Sequence, residues 1–162
     1  MGMEPYPPGA DGLPGPFVRS NSIANARRRR NSDECNNSSI IANIQKTIDS
    51  GLDINTNDGF CNRTCLIDAV QNGCVKGFEL LMRHKADLNA KDLDQDTALM
   101  WAVTEGNVDM AKLLIERGAD LNVRDILGRS ALIWTTWRGH TAIAKLLIQA
   151  GADMNVQDKV GE

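Results

Sequence analysis

Residues 92–124 read DLDQDTALMWAVTEGNVDMAKLLIERGADLNVR, and residues 125–157 read DILGRSALIWTTWRGHTAIAKLLIQAGADMNVQ. Laid one over the other they agree at 15 of 33 positions, and the agreement falls in blocks: Ala-Leu, Trp, Gly, Ala-Lys-Leu-Leu-Ile and Gly-Ala-Asp-x-Asn-Val. A fixed period of this length marks a repeat array, in which no unit buries its own apolar face and each stacks on its neighbours. One period upstream, residues 59–91 (GFCNRTCLIDAVQNGCVKGFELLMRHKADLNAK) follow the same plan with more departures. Gly73, Gly106 and Gly139 recur at the period, as do Gly118 and Gly151, so the same backbone turns are made again and again.

Each unit reads as two short helices behind a turn. Thr64, Thr97 or Ser130 stands where a hydroxyl caps the first helix. Apolar residues at helical spacing follow, such as Leu99, Ala102 and Val103, and Gly106 or Gly139 ends that helix in a left-handed conformation. The second helix carries Ala-Lys-Leu-Leu-Ile and closes on Gly118 or Gly151. Helices this short are marginal alone in water and form through burial against the next unit.

These units resemble the ankyrin repeat. The resemblance rests on Thr97-Ala98-Leu99, Gly106, Leu113-Leu114 and Gly118-Ala119-Asp120-x-Asn122, with counterparts at 130–132, 139, 146–147 and 151–155. The family's usual Thr-Pro-Leu-His is replaced throughout by Thr-Ala-Leu-Met, Ser-Ala-Leu-Ile and Thr-Cys-Leu-Ile. The expected fold is all-α: an α-solenoid of stacked ankyrin repeats, each a helix–turn–helix with a β-hairpin-like turn per 33 residues, behind a disordered N-terminal tail. The domains read as a tail at 1–34, a degenerate N-terminal capping repeat at 35–58, ankyrin repeats at 59–91, 92–124 and 125–157, and the start of a further repeat at 158–162.

Repeat one (59–91) carries the most departures. It lacks the opening Asp, has Asn62 and Lys85 where Gly is usual, and places Gly77 inside its second helix, at a cost of about 1 kcal/mol relative to alanine. This end of the array is expected to fray first. Upstream, Gly51-Leu52-Asp53-Ile54-Asn55 parallels Gly118 to Asn122, so 35–58 reads as a cap with Asn43, Gln45 and Lys46 on its polar face.

All five prolines fall in the first 16 residues, and residues 1–34 are rich in Pro, Gly, Ser, Asn and Arg, the composition of a chain that does not fold. Arg27-Arg28-Arg29-Arg30-Asn31-Ser32 admits three readings: a solvated charge run, recognition by a basophilic kinase with Ser32 as phosphorylation candidate, or a nuclear-import patch. The net charge of −3 argues against a strongly basic nucleic-acid binder, and no apolar run is long enough to span a bilayer. The opening lacks a secretory signal. A cytoplasmic, and alternatively nuclear, monomer is expected, with no nucleic-acid partner and no membrane insertion.

Nothing points to catalysis, and no cofactor or metal is expected. The two histidines, His84 and His140, form no nucleophile–base pair or ligand cluster, and His140 sits at a structural Gly-His position. Asp92, Asp94 and Asp96 resemble the opening of a calcium loop, yet Thr97 and Val103 occupy the places of its required glycine and glutamate. They read instead as solvated charges at a hairpin tip, available to a basic partner. Cys35, Cys61, Cys65 and Cys74 lack the close pairing of a zinc finger and are expected to be reduced.

The tryptophans carry the most local information. Trp101 and Trp134 share one repeat position, and Trp137 lies one turn beyond Trp134. The resemblance implies that first helices line a concave face and that partners are met there and on the hairpin tips. It places Phe60, Cys61, Arg63, Leu93, Asp94, Asp96, Ile126, Leu127 and Arg129 at the tips, and Gln71, Asn72, Thr104, Glu105, Trp137 and Arg138 on the helices. The candidate partner-binding residues are Arg63, Asn72, Asp94, Asp96, Trp101, Glu105, Arg129, Trp134, Trp137 and Arg138, with packing between repeats the competing role for Trp101 and Trp134. Repeat two holds 7 acidic and 3 basic residues against 3 and 5 in repeat one, so the groove changes sign along its length.

The expected function is a non-catalytic scaffold that binds another protein. The alternative is a regulatory or targeting segment of a larger enzyme or channel whose working domain lies beyond residue 162. Asn89, Asn122 and Asn155 hold the Asn of Ala-Asp-x-Asn, which the resemblance makes candidates for hydroxylation.

Overall fold

The computed structural model describes residues 35–56 and 63–155, with side chains from Ser38 onward. The calls for a tail at 1–34, for Ser32, for Phe60 and Cys61, and for a further repeat at 158–162 lie outside the described residues. Among the described residues there are seven helices: α1 (Cys35–Asp49), α2 (Cys65–Gln71), α3 (Val75–Arg83), α4 (Ala98–Thr104), α5 (Val108–Glu116), α6 (Ala131–Arg138) and α7 (Thr141–Gln149). Lys91 pairs with Thr97 in an antiparallel bridge at the stem of a hairpin-like turn.

The helices form where local chemistry starts and stops them. The Thr64 and Thr97 hydroxyls accept from the amides of Ile67 (3.3 Å) and Met100 (3.5 Å), capping α2 and α4. Ser130 departs from that expectation. Its backbone (φ −88°, ψ 169°) matches Thr97 (φ −94°, ψ 168°), yet its hydroxyl makes no capping bond. The Ser130 hydroxyl is buried and makes no hydrogen bond, a difference from Thr97 that the backbone angles do not explain. The second helices of repeats one and two use caps the sequence did not reveal, the Cys74 thiol to Gly77 (3.3 Å) and the Asn107 amide oxygen to Met110 (3.1 Å).

Gly106 sits just past α4 at φ +64°, a left-handed turn, and the His140 ring closes over it. A Cβ there would stand 2.7 Å from His140 Cε1, so the glycine is required twice, by its backbone and by its neighbour. This contact gives His140 its packing role.

The first helices α2, α4 and α6 pack in succession, α5 packs on α7, and α1 rests chiefly on α3. Their apolar faces meet in one core, where Ile44, Leu66, Phe78, Leu99, Met110, Leu114, Ile143 and Leu147 are fully buried. Helix α1 turns Ile44 into this core and leaves Asn43, Gln45 and Lys46 exposed. Gly77 has a spatial reason: a Cβ there would meet Cys74 Sγ at 3.0 Å and Ile44 Cδ1 at 3.1 Å. The glycine lets α1 seat closely on α3. Cys65 is half-buried against the core and Cys74 fully buried, both free thiols.

Candidate protein-binding surface

In repeats two and three the turn before the first helix is organised by one aspartate. In repeat two, Asp92 Oδ1 accepts from the amides of Asp94 (3.0 Å) and Asp96 (2.9 Å), and its Oδ2 accepts from the Trp101 indole at 2.9 Å. In repeat three, Asp125 Oδ1 accepts from Leu127 and Arg129, each at 2.9 Å, and its Oδ2 accepts from the Trp134 indole at 3.2 Å. The carboxylate thus ties hairpin and helix together across nine residues. Both aspartates are buried, at 4% and 6% exposure. The reading of Asp92, Asp94 and Asp96 as three solvated charges is therefore corrected for Asp92, whose burial is offset by three N–H donors.

Arginines cover the indoles. Arg63 lies over Trp101 at 4.5 Å from the ring centroid, Arg129 over Trp134 at 4.2 Å, and Arg138 over Trp134 at 5.5 Å. Arg129 also faces Trp137 at 5.3 Å, and its Nε and Nη2 both reach Asp125 Oδ2 at 2.7 Å. Trp101, Trp134 and Arg129 are 7%, 6% and 6% exposed. Their polar groups face inward, so of the two roles weighed for the tryptophans the geometry displays packing.

The other candidates remain partly or wholly open. Asn72 is exposed, its amide donating to the Asp68 carbonyl at 2.8 Å, while Arg63, Asp94, Asp96, Glu105, Trp137 and Arg138 are half-buried. Thr104 is half-buried too, but Gln71 is buried and accepts from Arg63 Nη1. Burial pulls the Arg138 guanidinium below its ordinary pKa, with Glu105 opposing that shift and Arg129 adding to it. Arginine nevertheless keeps its charge in proteins. Trp137 and Arg138 are consecutive residues at the end of α6, both half-buried, with Arg129 over the Trp137 ring and Arg138 over Trp134.

The hairpin tips are apolar at their ends. Leu93, Ile126 and Leu127 are 69%, 52% and 46% exposed. One carboxylate oxygen from each of Asp92, Asp94 and Asp96 lies within 4.8 Å of the others.

A second ladder runs along the exits of the repeats. The side-chain oxygen of Asn55 accepts from the amide of Asp87 (2.8 Å), that of Asn89 from Asp120 (2.9 Å), and that of Asn122 from Asp153 (2.9 Å). Asn89 and Asn122 are therefore bonded to the following repeat, and Asn89, Asn122 and Asn155 each donate the backbone amide to Oδ1 of the aspartate two residues earlier, at 2.9 Å. Reading the sequence for helical faces missed both this ladder and the aspartate clasps. The available signal was an Asp and a Trp nine residues apart in two successive repeats.

Among the described residues no helix is long and apolar enough to cross a membrane. A family model described as ankyrin repeats in three copies matches residues 34–125 and again 93–158. No curated protein matches the chain. With the repeat period, the glycine turns, the paired helices and this match in agreement, the chain belongs to the ankyrin repeat family.

Proposed function

We propose that this chain is a non-catalytic scaffold that holds a partner protein against the groove between its hairpin tips and first helices. Ankyrin repeats are generally protein–protein interaction modules. The observation that carries the finer reading is Trp137 with Arg138, half-exposed together where Trp101, Trp134 and Arg129 are buried. Tryptophan and arginine are the residues most enriched among binding hot spots. Asn72, Glu105, Asp94, Asp96 and Arg63 supply the polar surround, while the buried trio holds that surface in shape. The protein acts as a monomer in the cytoplasm, with access to the nucleus through Arg27 to Arg30. Phosphorylation at Ser32 and hydroxylation at Asn89, Asn122 or Asn155 are its proposed modifications.

The test is the double substitution Trp137→Ala with Arg138→Ala, followed by affinity capture from cell extract and mass spectrometry. Partner capture is expected to fall by at least tenfold, the loss of one strong hot spot, with helical circular dichroism unchanged. Capture equal to that of the unsubstituted protein would overturn the groove as the binding surface.

A further inference from the structure

We infer that the cleft between the second helices of repeats one and two is a binding site for a small zwitterion with an apolar side chain, the chemistry of a free α-amino acid. On this side of the array the packing is uneven. Helix α1 packs on α3 and α5 on α7, whereas α3 and α5 meet far less closely. The cause is an exchange of bulk: repeat one carries Gly77-Phe78 where repeats two and three carry Met110-Ala111 and Ile143-Ala144. Gly77 lets α3 sit close to α1, and Phe78, fully buried, fills the side toward α5, where the Arg117 guanidinium lies over its ring at 5.8 Å. Beside this wedge opens a cleft of about 310 Å³, lined by Glu79, Met82, Arg83 and Arg117. Small-molecule sites begin at about 300 Å³.

The walls of the cleft hold charge that the fold leaves unused. Among the described residues, the side chains of Glu79 and Arg83 make no hydrogen bond or ion pair, and the Arg117 guanidinium makes only its contact with Phe78. The equivalents of Glu79 and Arg83 in repeat two, Lys112 and Glu116, do pair, at 3.8 Å. Glu79, Arg83 and Arg117 are exposed, and Met82 between them is half-buried.

Charge selects the occupant. Two guanidinium forks lining one cleft, one from each repeat, match a carboxylate, which both can hold through charge-assisted hydrogen bonds. Glu79, on the same helix as Arg83, repels a bare dianion and accepts from an ammonium set beside that carboxylate. Met82 offers a polarisable apolar surface to the ligand's side chain. Because Arg83 belongs to repeat one and Arg117 to repeat two, a bound ligand ties the two repeats together and stabilises their interface. These residues lie on α3 and at the end of α5, away from the hairpin tips and first helices, so the site is independent of the proposed partner surface.

The experiment is a nuclear magnetic resonance titration of the purified full chain with L-leucine, glycine, L-leucinamide, N-acetyl-L-leucine and inorganic phosphate. L-Leucine is expected to move the Met82 methyl and the Arg83 and Arg117 Nε–H resonances saturably, and less tightly as salt is added. Glycine lacks the apolar group, L-leucinamide the carboxylate and N-acetyl-L-leucine the ammonium, so each should bind about tenfold more weakly or worse. Arg83→Gln, which removes a side chain without partners in the fold, should weaken L-leucine about tenfold at unchanged circular dichroism. Glu79→Gln should weaken L-leucine and strengthen N-acetyl-L-leucine, a reversal that a merely structural role would not produce. The Trp137→Ala/Arg138→Ala variant should bind L-leucine as the parent does. No saturable shift at Met82, N-acetyl-L-leucine or phosphate binding as tightly as L-leucine, or L-leucine binding unchanged by Arg83→Gln would each overturn the site, and none of these results bears on partner capture by the groove.

Discussion

Repeats two and three contain the same clasp built in two ways. Asp92 with Trp101 and Asp125 with Trp134 share their spacing, their burial and their turn amides. They differ at the fifth position of the repeat, which is Asp96 in one and Arg129 in the other. In repeat three the cation is local: Arg129 pairs with Asp125 and stacks on Trp134. In repeat two the cation over Trp101 is Arg63, carried by repeat one. One slot is therefore held from within its unit and the other across an interface, the two terms that sum to the stability of a stacked array.

The largest expected effect follows from that difference. Asp125→Ala leaves Arg129 buried beside two indoles without its carboxylate, a loss of about 3–5 kcal/mol. Asp92→Ala orphans the same kinds of donor, one indole N–H and two turn amides, but breaks no buried ion pair, and should cost less by the share of that pair. Urea denaturation of the two variants measures the gap. Equal midpoints would show that the clasps are energetically alike and break the comparison.

A smaller effect tests the borrowed cation. Arg63→Ala removes a stacked guanidinium from Trp101 and a hydrogen bond to Gln71. A double-mutant cycle with Trp101→Leu subtracts the second contribution and isolates the stacking, expected at about 0.5–2 kcal/mol of coupling. Zero coupling in thermal denaturation would mean that repeat one does not brace repeat two through this contact.

Much of this architecture was legible in the sequence, because the determinants of helix boundaries are local. Thr64, Thr97 and Gly139 stand at their ends for reasons contained within a few residues. The surface was less legible. Helical periodicity places Trp101 and Trp134 on a face but says nothing of a carboxylate nine residues upstream, across a turn whose shape that carboxylate creates. Arg129 illustrates the same limit, since its position at the tip promised exposure and its pairing with Asp125 buried it. The positions whose surroundings resist such folding-in, Leu93 and Leu127 at the tips, remained where sequence position put them.

The smallest effects concern backbone conformation at the sites where repeats disagree. Lys85 and Gln95 adopt φ +59° and +64°, the left-handed region, where the equivalent residues are Gly118 and Gly128 at φ +85° and +82°. A side chain in that region costs about 1–2 kcal/mol, whereas glycine loses more freedom on folding, about 0.5–1 kcal/mol. The balance favours glycine slightly, so Lys85→Gly and Gln95→Gly should each stabilise by about 0.5 kcal/mol. The two gains should differ in reach. Gln95 lies in the clasped turn of repeat two, held by Asp92, and relief there is expected to register only in the global midpoint. Lys85 closes α3 in the repeat that departs most from the common pattern, so Lys85→Gly should slow amide exchange in α2 and α3 more than in α6 and α7. Uniform slowing across all the helices would show that the array opens as one unit and that repeat one is no weaker than its neighbours.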